Sequence, residues 1–441
     1  MRNRNFKAIA VLLTAAIFMA TMTACSDGNK SSSMDESNQT NAQSTKENDD
    51  SNSEADDVSD VSIEYNLGDE LPQEIIDISR INKGNEVRLS KFFKKLENNE
   101  EVTVGFIGGS ITQGDSAGAK LCYANQTVEW IKAKYPSATV NYVNAGIGAT
   151  GSYIGVHRVD EDLLASKPDL VFVEFSVNDY TDFTERNKES YDGLMRKIWL
   201  SESAPAIIAL GLTQDNGTTF LSQHKVVCDA YEIPMISYRD AIFELINKAG
   251  INWTDISNDN IHPNVAGHDI LTKLITAYLG EVAERADTIT GEEPDIVTTP
   301  AVSGRFVNAR ILRANDLQPT EQNGFKQIKD MEIGKFIGVW SAAAKDGKFE
   351  DASIKFEVEA KNIALLHSKI VNKGAKVIVK VDGEEVVEID GNFVNGWGDY
   401  AYATEIKAFD TQGKHTVEII PQVAEDFSGI QVFYIAGLLV S

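Results

Sequence analysis

Cysteine, histidine and basic charge are scarce in this 441-residue chain, and each scarcity removes a class of protein. Three cysteines cannot build a disulfide framework. Cys122 and Cys228 lie far apart and read as two buried thiols rather than a bridge. The six histidines include no HExxH pair and no CxxC occurs, so no metal site and no cofactor is expected. Lys and Arg number 41 against 66 Asp and Glu, leaving a formal net charge of −25 without a basic patch. That balance argues against nucleic acid and anionic polymers as partners.

Long apolar runs are also missing, apart from "AIAVLLTAAIFMATM" behind Arg2, Arg4 and Lys7. That run is short for a bilayer span and has the charged, apolar and small-residue order of an export signal. It ends in "MTAC", which resembles a bacterial lipobox. Residues 1–25 are therefore expected to be a lipoprotein signal ending at Cys25, which would carry the lipid. The expected location is the outer face of a cell membrane, reached only through this anchor. Residues 26–60 carry ten acidic residues against two lysines and almost nothing apolar, so they are expected to be a disordered spacer.

Residues 61–286 alternate short apolar runs with helical patterns. "VTVGFI" (102–107), "TVNYVN" (139–144), "DLVFVEFSV" (169–177), "AIIALGL" (206–212) and "IPMIS" (233–237) are near-continuous apolar runs, as in strands buried on both faces. Helices are expected over 123–134, 191–200, 222–231, 240–248 and 263–284. Strand then helix, repeated, predicts an α/β fold with a mostly parallel sheet in a three-layer sandwich. In such sheets ligands gather at the carboxyl ends of the strands.

Residues 287–300 lose periodicity and read as a linker. From 301 to 441 the pattern becomes strands in series, joined by turns such as Asp382-Gly383, which predicts an all-β, jelly-roll-like sandwich. Trp340, Phe393, Trp397, Tyr400 and Tyr402 stand out there. They read either as sandwich core at alternate strand positions or as a platform for sugar rings, with Trp397 and Tyr400, in the glycine-flanked "FVNGWGDYAY", the candidates for sugar contact.

Four motifs fall where strands end. "GFIGGSITQGD" (105–115) contains Ser110, "NAGIGATGS" (144–152) contains Gly146 and Gly148, "SVNDY" (176–180) contains Asn178, and "DNIHPN" (259–264) contains Asp259 and His262. This set and its order resemble the SGNH, or GDSL-type, hydrolase superfamily over most of Arg80 to about Ala286. The usual Gly-Asp-Ser reads here Gly108-Gly109-Ser110, a variant that keeps the serine and drops a carboxylate beside it. The resemblance implies a flavodoxin-like fold and a serine esterase. Ser110 would be the nucleophile, His262 the base and Asp259 its orienter, with Ser110 N–H, Gly148 N–H and the Asn178 amide as oxyanion donors. Gly146 fits the glycine position less well than Gly148, and the sequence leaves both open.

The residue types suit the chemistry. A hydroxyl attacks only when a base takes its proton, and the charge that develops on the carbonyl oxygen needs N–H donors. His157, His224 and His268 lie in helical patterns and are expected to be structural. Asp115 and Asp179 neighbour the motifs without an assigned role, and 211–220 is expected to overhang the site. The sum is an exported esterase removing O-acyl groups, most simply acetyl, from a polysaccharide or oligosaccharide. Two rivals stand beside it: a lysophospholipase or thioesterase acting on acyl lipids, and a non-catalytic carbohydrate-binding lipoprotein.

Overall fold

Alternation along the central strands creates two cores. The computed structural model describes residues 62–296, 299–345, 347–423 and 429–441, so the signal, Cys25 and the acidic segment 26–60 lie outside the described residues. The first sheet holds β1 (Arg80–Asn82), β2 (Glu101–Gly108), β3 (Thr139–Gly146), β4 (Leu170–Glu174), β5 (Ala206–Gly211) and β6 (Met235–Ser237). Its order is β1-β6-β5-β4-β2-β3, parallel throughout except for the antiparallel edge strand β1. In β4, Leu170 and Phe172 join one buried cluster while Val171 and Val173 join the other. With every β4 and β5 residue buried, the sheet is covered on both faces and needs apolar residues at consecutive positions.

Most elements fall where the sequence predicts them, and two differences have local causes. The helix expected from 191 begins at Thr184, because its first two turns, "TERNKES", show no apolar periodicity. The strand expected over 169–177 leaves the sheet after Glu174, although Phe175 and Val177 stay buried in the turn that follows. The last helix, Val265–Glu284, starts where Asn264 accepts hydrogen bonds from the N–H groups of Ala266 and Gly267. Strand β1, three residues long, has too little pattern to read from sequence. Cys122 and Cys228 are free and buried.

The second sheet contains β7 (Arg310–Arg313), β8 (Glu321–Asn323), β9 (Phe325–Ile333), β10 (Phe336–Ala343), β11 (Ser353–Val371), β12 (Lys376–Val381), β13 (Glu384–Asp390), β14 (Asn392–Phe393), β15 (Tyr400–Gln422) and β16 (Val432–Val440). Its main ladder runs β13-β12-β15-β11-β16-β10-β9. Phe325 and Trp340 from one end of that ladder share a buried cluster with Val377 and Ile389 from the other, so the ladder curls on itself into an all-β sandwich. Trp340 is a core residue of this cluster and unavailable to a ligand.

The sandwich shares a core with the α/β part. Phe306, Ile311, Phe336, Ala401 and Leu439 bury against Tyr153, Tyr191 and Leu194. Around this core the Arg313 guanidinium reaches Glu161 at 2.6 Å and Asp162 at 2.5 Å, and Arg305 pairs with Glu189 and Glu405. Among the described residues of the stretch 287–300 the regular structure is a short 3₁₀ turn at its start, yet Ile296 is buried and Glu293 pairs with Arg88 and Lys91. Among the described residues no helix is long and apolar enough to cross a membrane.

Phe306 is fully buried at this junction, its ring edge-on to Tyr153 at 5.6 Å. Phe306→Ala should cost about 3–5 kcal/mol. Equilibrium urea unfolding should then show one transition at a lower midpoint, since both parts lose the same contact.

Candidate active site

One row of the sheet assembles the site. Gly108 of β2 lies opposite Gly146 of β3 on one side and Glu174 of β4 on the other, all at the carboxyl edge. Ser110 lies two residues beyond that row, Gly148 two and Asn178 four, so three separate loops begin side by side. A Cβ at Gly109 would collide with the Asn178 side chain, and one at Gly146 with the backbone of Gln113. Glycine at both positions lets the loops close on each other.

Ser110 opens the short helix Ser110–Gln113, and its Oγ lies 2.9 Å from His262 Nε2. On the other side of the ring, His262 Nδ1 is 2.8 Å from Asp259 Oδ2. The loop holding this pair is braced from several directions. Asp259 Oδ1 accepts hydrogen bonds from the N–H groups of Ile261 and His262, each at 2.7 Å. Trp253 Nε1 donates to the Asp259 carbonyl and Ser257 Oγ to the His262 carbonyl. Partial burial raises the pKa of Asp259, but hydrogen bonds from the His262 ring and from the two N–H groups outweigh it, leaving the carboxyl below its ordinary value. An ionised Asp259 fixes a proton on Nδ1 and leaves Nε2 free to accept from Ser110.

Gly148 lies close to the serine: a Cβ built on it would stand 3.8 Å from Ser110 Cβ. Its N–H donates to Gln113 Oε1 at 2.8 Å. The Gly146 N–H is likewise engaged, by Asn144 Oδ1 at 2.9 Å, but of the two glycines it is Gly148 that borders the cavity holding Ser110 and His262. Asn178 borders the same cavity as Ser110, Gly148, Asp259 and His262.

That cavity, of about 880 Å³, is walled from both halves of the chain. The α/β part supplies Gln113, Asp115, Gln214 and Asn260; the sandwich supplies Glu332, Lys335, Trp397, Asp399 and Tyr400. Gln214 belongs to the loop expected to overhang the site, and its neighbour Asp215 donates its N–H to the Asn260 carbonyl. Trp397, 73% exposed, stacks on Tyr400 with ring centroids 5.0 Å apart. Asp399 pins their loop by accepting from the Val371 N–H.

The GDSL-like Lipase/Acylhydrolase family profile matches residues 106–270. An acetylxylan esterase of Geobacillus stearothermophilus is 25% identical over 210 residues, which is 40% of this chain and 92% of that relative. Two crystal structures of a two-domain esterase active on acetylated mannans, one co-crystallized with mannopentaose, are each 30% identical. They cover 83% of this chain and 97% and 98% of theirs, with TM-scores of 0.73 and 0.76. The chain belongs to the GDSL-like lipase/acylhydrolase family. As a family member it is a carboxylic ester hydrolase.

The remaining sequence candidates in this GDSL-family chain have structural surroundings. His224 and Asp179 form a buried pair at 2.9 Å, with His224 stacked on Tyr191 and Asp179 also accepting the Ser152 N–H. His157 and His268 are buried, and burial drives them down to about 3 and about 4. His268 Nδ1 accepts the Tyr123 N–H.

Two residues near the site escaped the sequence reading. Arg158, fully buried, donates to the Ala145 carbonyl at 2.6 Å and the Gly108 carbonyl at 3.2 Å, tying together the strands that lead to Gly148 and Ser110. Glu174 is buried beneath the nucleophile turn, with Thr112 Oγ1 at 3.4 Å. Burial raises its pKa and Asp179 raises it further, against hydrogen bonds from Thr112 and from the N–H groups of Gly109 and Ser176, giving about 8. Both stood in plain view as single charges within otherwise apolar or helical runs, "VFVEFSV" and "IGVHRV".

Glu174 makes a signed prediction. Between its unfolded and folded pKa, the folded protein holds a proton that the unfolded chain has released, so its contribution to stability falls as pH rises. Urea midpoints of wild type and Glu174→Gln, compared from about pH 5 to about pH 8, should change relative to each other, with the wild type losing ground as pH rises.

Proposed function

We propose that this protein hydrolyses O-acetyl esters on a polysaccharide or oligosaccharide of mannan or xylan type, by serine catalysis. The observation that carries the proposal is the continuous relay from Ser110 through His262 to Asp259, opening into a cavity with a sandwich-borne aromatic pair on its wall. The activities named for its relatives, on acetylated xylan and acetylated mannans, support the choice of substrate. Gln113, Asp115, Gln214, Asn260 and Asp399 border the cavity and offer sugar hydroxyls hydrogen-bond partners that an acyl chain would leave unused.

In this mechanism Ser110 Oγ attacks the acetyl carbonyl carbon while His262 Nε2 takes its proton. The oxygen that becomes negative is met by Ser110 N–H, Gly148 N–H and the Asn178 carboxamide. Gln113 Oε1, which holds the Gly148 N–H at rest, gives way to that oxygen. The imidazolium, stabilised by Asp259, returns its proton to the sugar oxygen, which leaves as a hydroxyl. Water, deprotonated by His262, then attacks the acetyl-serine and releases acetate, restoring Ser110.

The full chain should release acetate from p-nitrophenyl acetate and from acetylated mannan or xylan. Ser110→Ala should lower kcat by about 10⁴-fold or more, and Asn178→Ala by about 10²–10³-fold, with unchanged circular dichroism. Full turnover by folded Ser110→Ala would overturn the mechanism.

We further propose that Cys25 is lipid-modified and tethers the enzyme outside the cell, supported by "MTAC" after the apolar run. In a bacterial host fed a radiolabelled fatty acid, the wild type should take up label and partition with membranes. Cys25→Ser should carry no label.

A further inference from the structure

A second cavity, of about 740 Å³, adjoins the catalytic one, and Ala149, Asn178 and Tyr400 border both. The loop that supplies Asn178 runs straight on into this cavity, where it presents Tyr180 and Phe183, 58% and 46% exposed. The sandwich contributes Tyr402 to the lining. The Arg186 guanidinium lies 4.2 Å from the ring centres of both Phe183 and Tyr153, which holds those rings in place. Thr181, Asp182 and Gln223 add hydrogen-bonding side chains between the aromatics.

Exposed aromatic faces interleaved with short polar side chains match a pyranose ring, which offers an apolar C–H face and a rim of hydroxyls. The catalytic cavity alone is as large as those that hold drug-sized ligands, so one acetylated sugar leaves the neighbouring space unfilled. Asn178 and Tyr400 stand where the two cavities meet, so a linear ligand that fills the first and extends past these residues reaches the second.

We infer that the second cavity is a binding site for unreacting sugar residues of the same glycan, with Phe183, Tyr180 and Tyr402 as its ring contacts. The inference rests on the esterase reading above and narrows it: the preferred substrate is an oligomer or polymer spanning both cavities, with acetyl groups cut along its length. These contacts lie away from the reacting bond, so they act on substrate binding and leave the chemistry of a small ester unchanged.

The test measures kcat/KM for the full chain on acetylated manno- and xylo-oligosaccharides from disaccharide to hexasaccharide, with p-nitrophenyl acetate as the control. Wild type should rise with chain length on at least one backbone, by roughly two- to tenfold per stacked ring. Phe183→Ala and Tyr180→Ala, both at exposed positions, should flatten that rise through KM while turning over p-nitrophenyl acetate as wild type does. Equal kcat/KM at every length in wild type, or an undiminished rise in both variants, would overturn the second site while leaving the esterase reading intact. No acetate from any ester would instead overturn the esterase reading and this inference with it.

Discussion

The site depends on register at one edge of a parallel sheet. Gly146, Gly108 and Glu174 stand in one hydrogen-bonded row, and the loops leaving it carry Gly148, Ser110 and Asn178. A slip of one residue in either pairing would turn those side chains to the other face of the sheet and separate them. Arg158 reinforces the row by bonding the carbonyls of two of its strands, and the shared burial of the flanking helices holds it from both sides. His262 reaches the serine from 152 residues away in the chain, and its loop depends on hydrogen bonds that begin with Asp259 and Ser257.

The β-sandwich is more than an appendage to this arrangement. Arg313 pairs with Asp162, which also receives a hydrogen bond from Arg158, so one ionic chain runs from the sandwich to the carbonyl before the nucleophile turn. Phe306 and its neighbours merge the two hydrophobic cores. The same sandwich contributes Trp397, Tyr400 and Lys335 to the wall of the cavity that holds Ser110. A cleft built from two halves of a chain can bind a long ligand along its seam while the chemistry stays at the edge of one sheet.

Much of this was readable from residue patterns. Continuous apolar runs marked the buried strands, and the four motifs at their ends named Ser110, Gly148, Asn178, Asp259 and His262, which the fold brings to one cavity. What patterns could not reveal was distance between the halves. The aromatics after residue 301 looked alike in sequence, yet Trp340 is buried in the sandwich core while Trp397 is exposed on the wall of the catalytic cavity, because strand curvature and loop pinning decide which ring is covered. Glu174 and Arg158 were visible as isolated charges, but their meaning lies in which carbonyls and N–H groups surround them. The helix from Thr184 began earlier than its apolar spacing implied, because its first turns are polar.

The central claim is that the Ser110 hydroxyl, activated by His262, takes the acetyl group from the substrate. The most direct measurement is acid-quenched mass spectrometry of the enzyme during turnover of p-nitrophenyl acetate. The account predicts one added acetyl group on the peptide containing Ser110, absent in His262→Ala. Steady turnover with no acetyl on that peptide at any quench time, or with acetyl accumulating on a different residue, would contradict it.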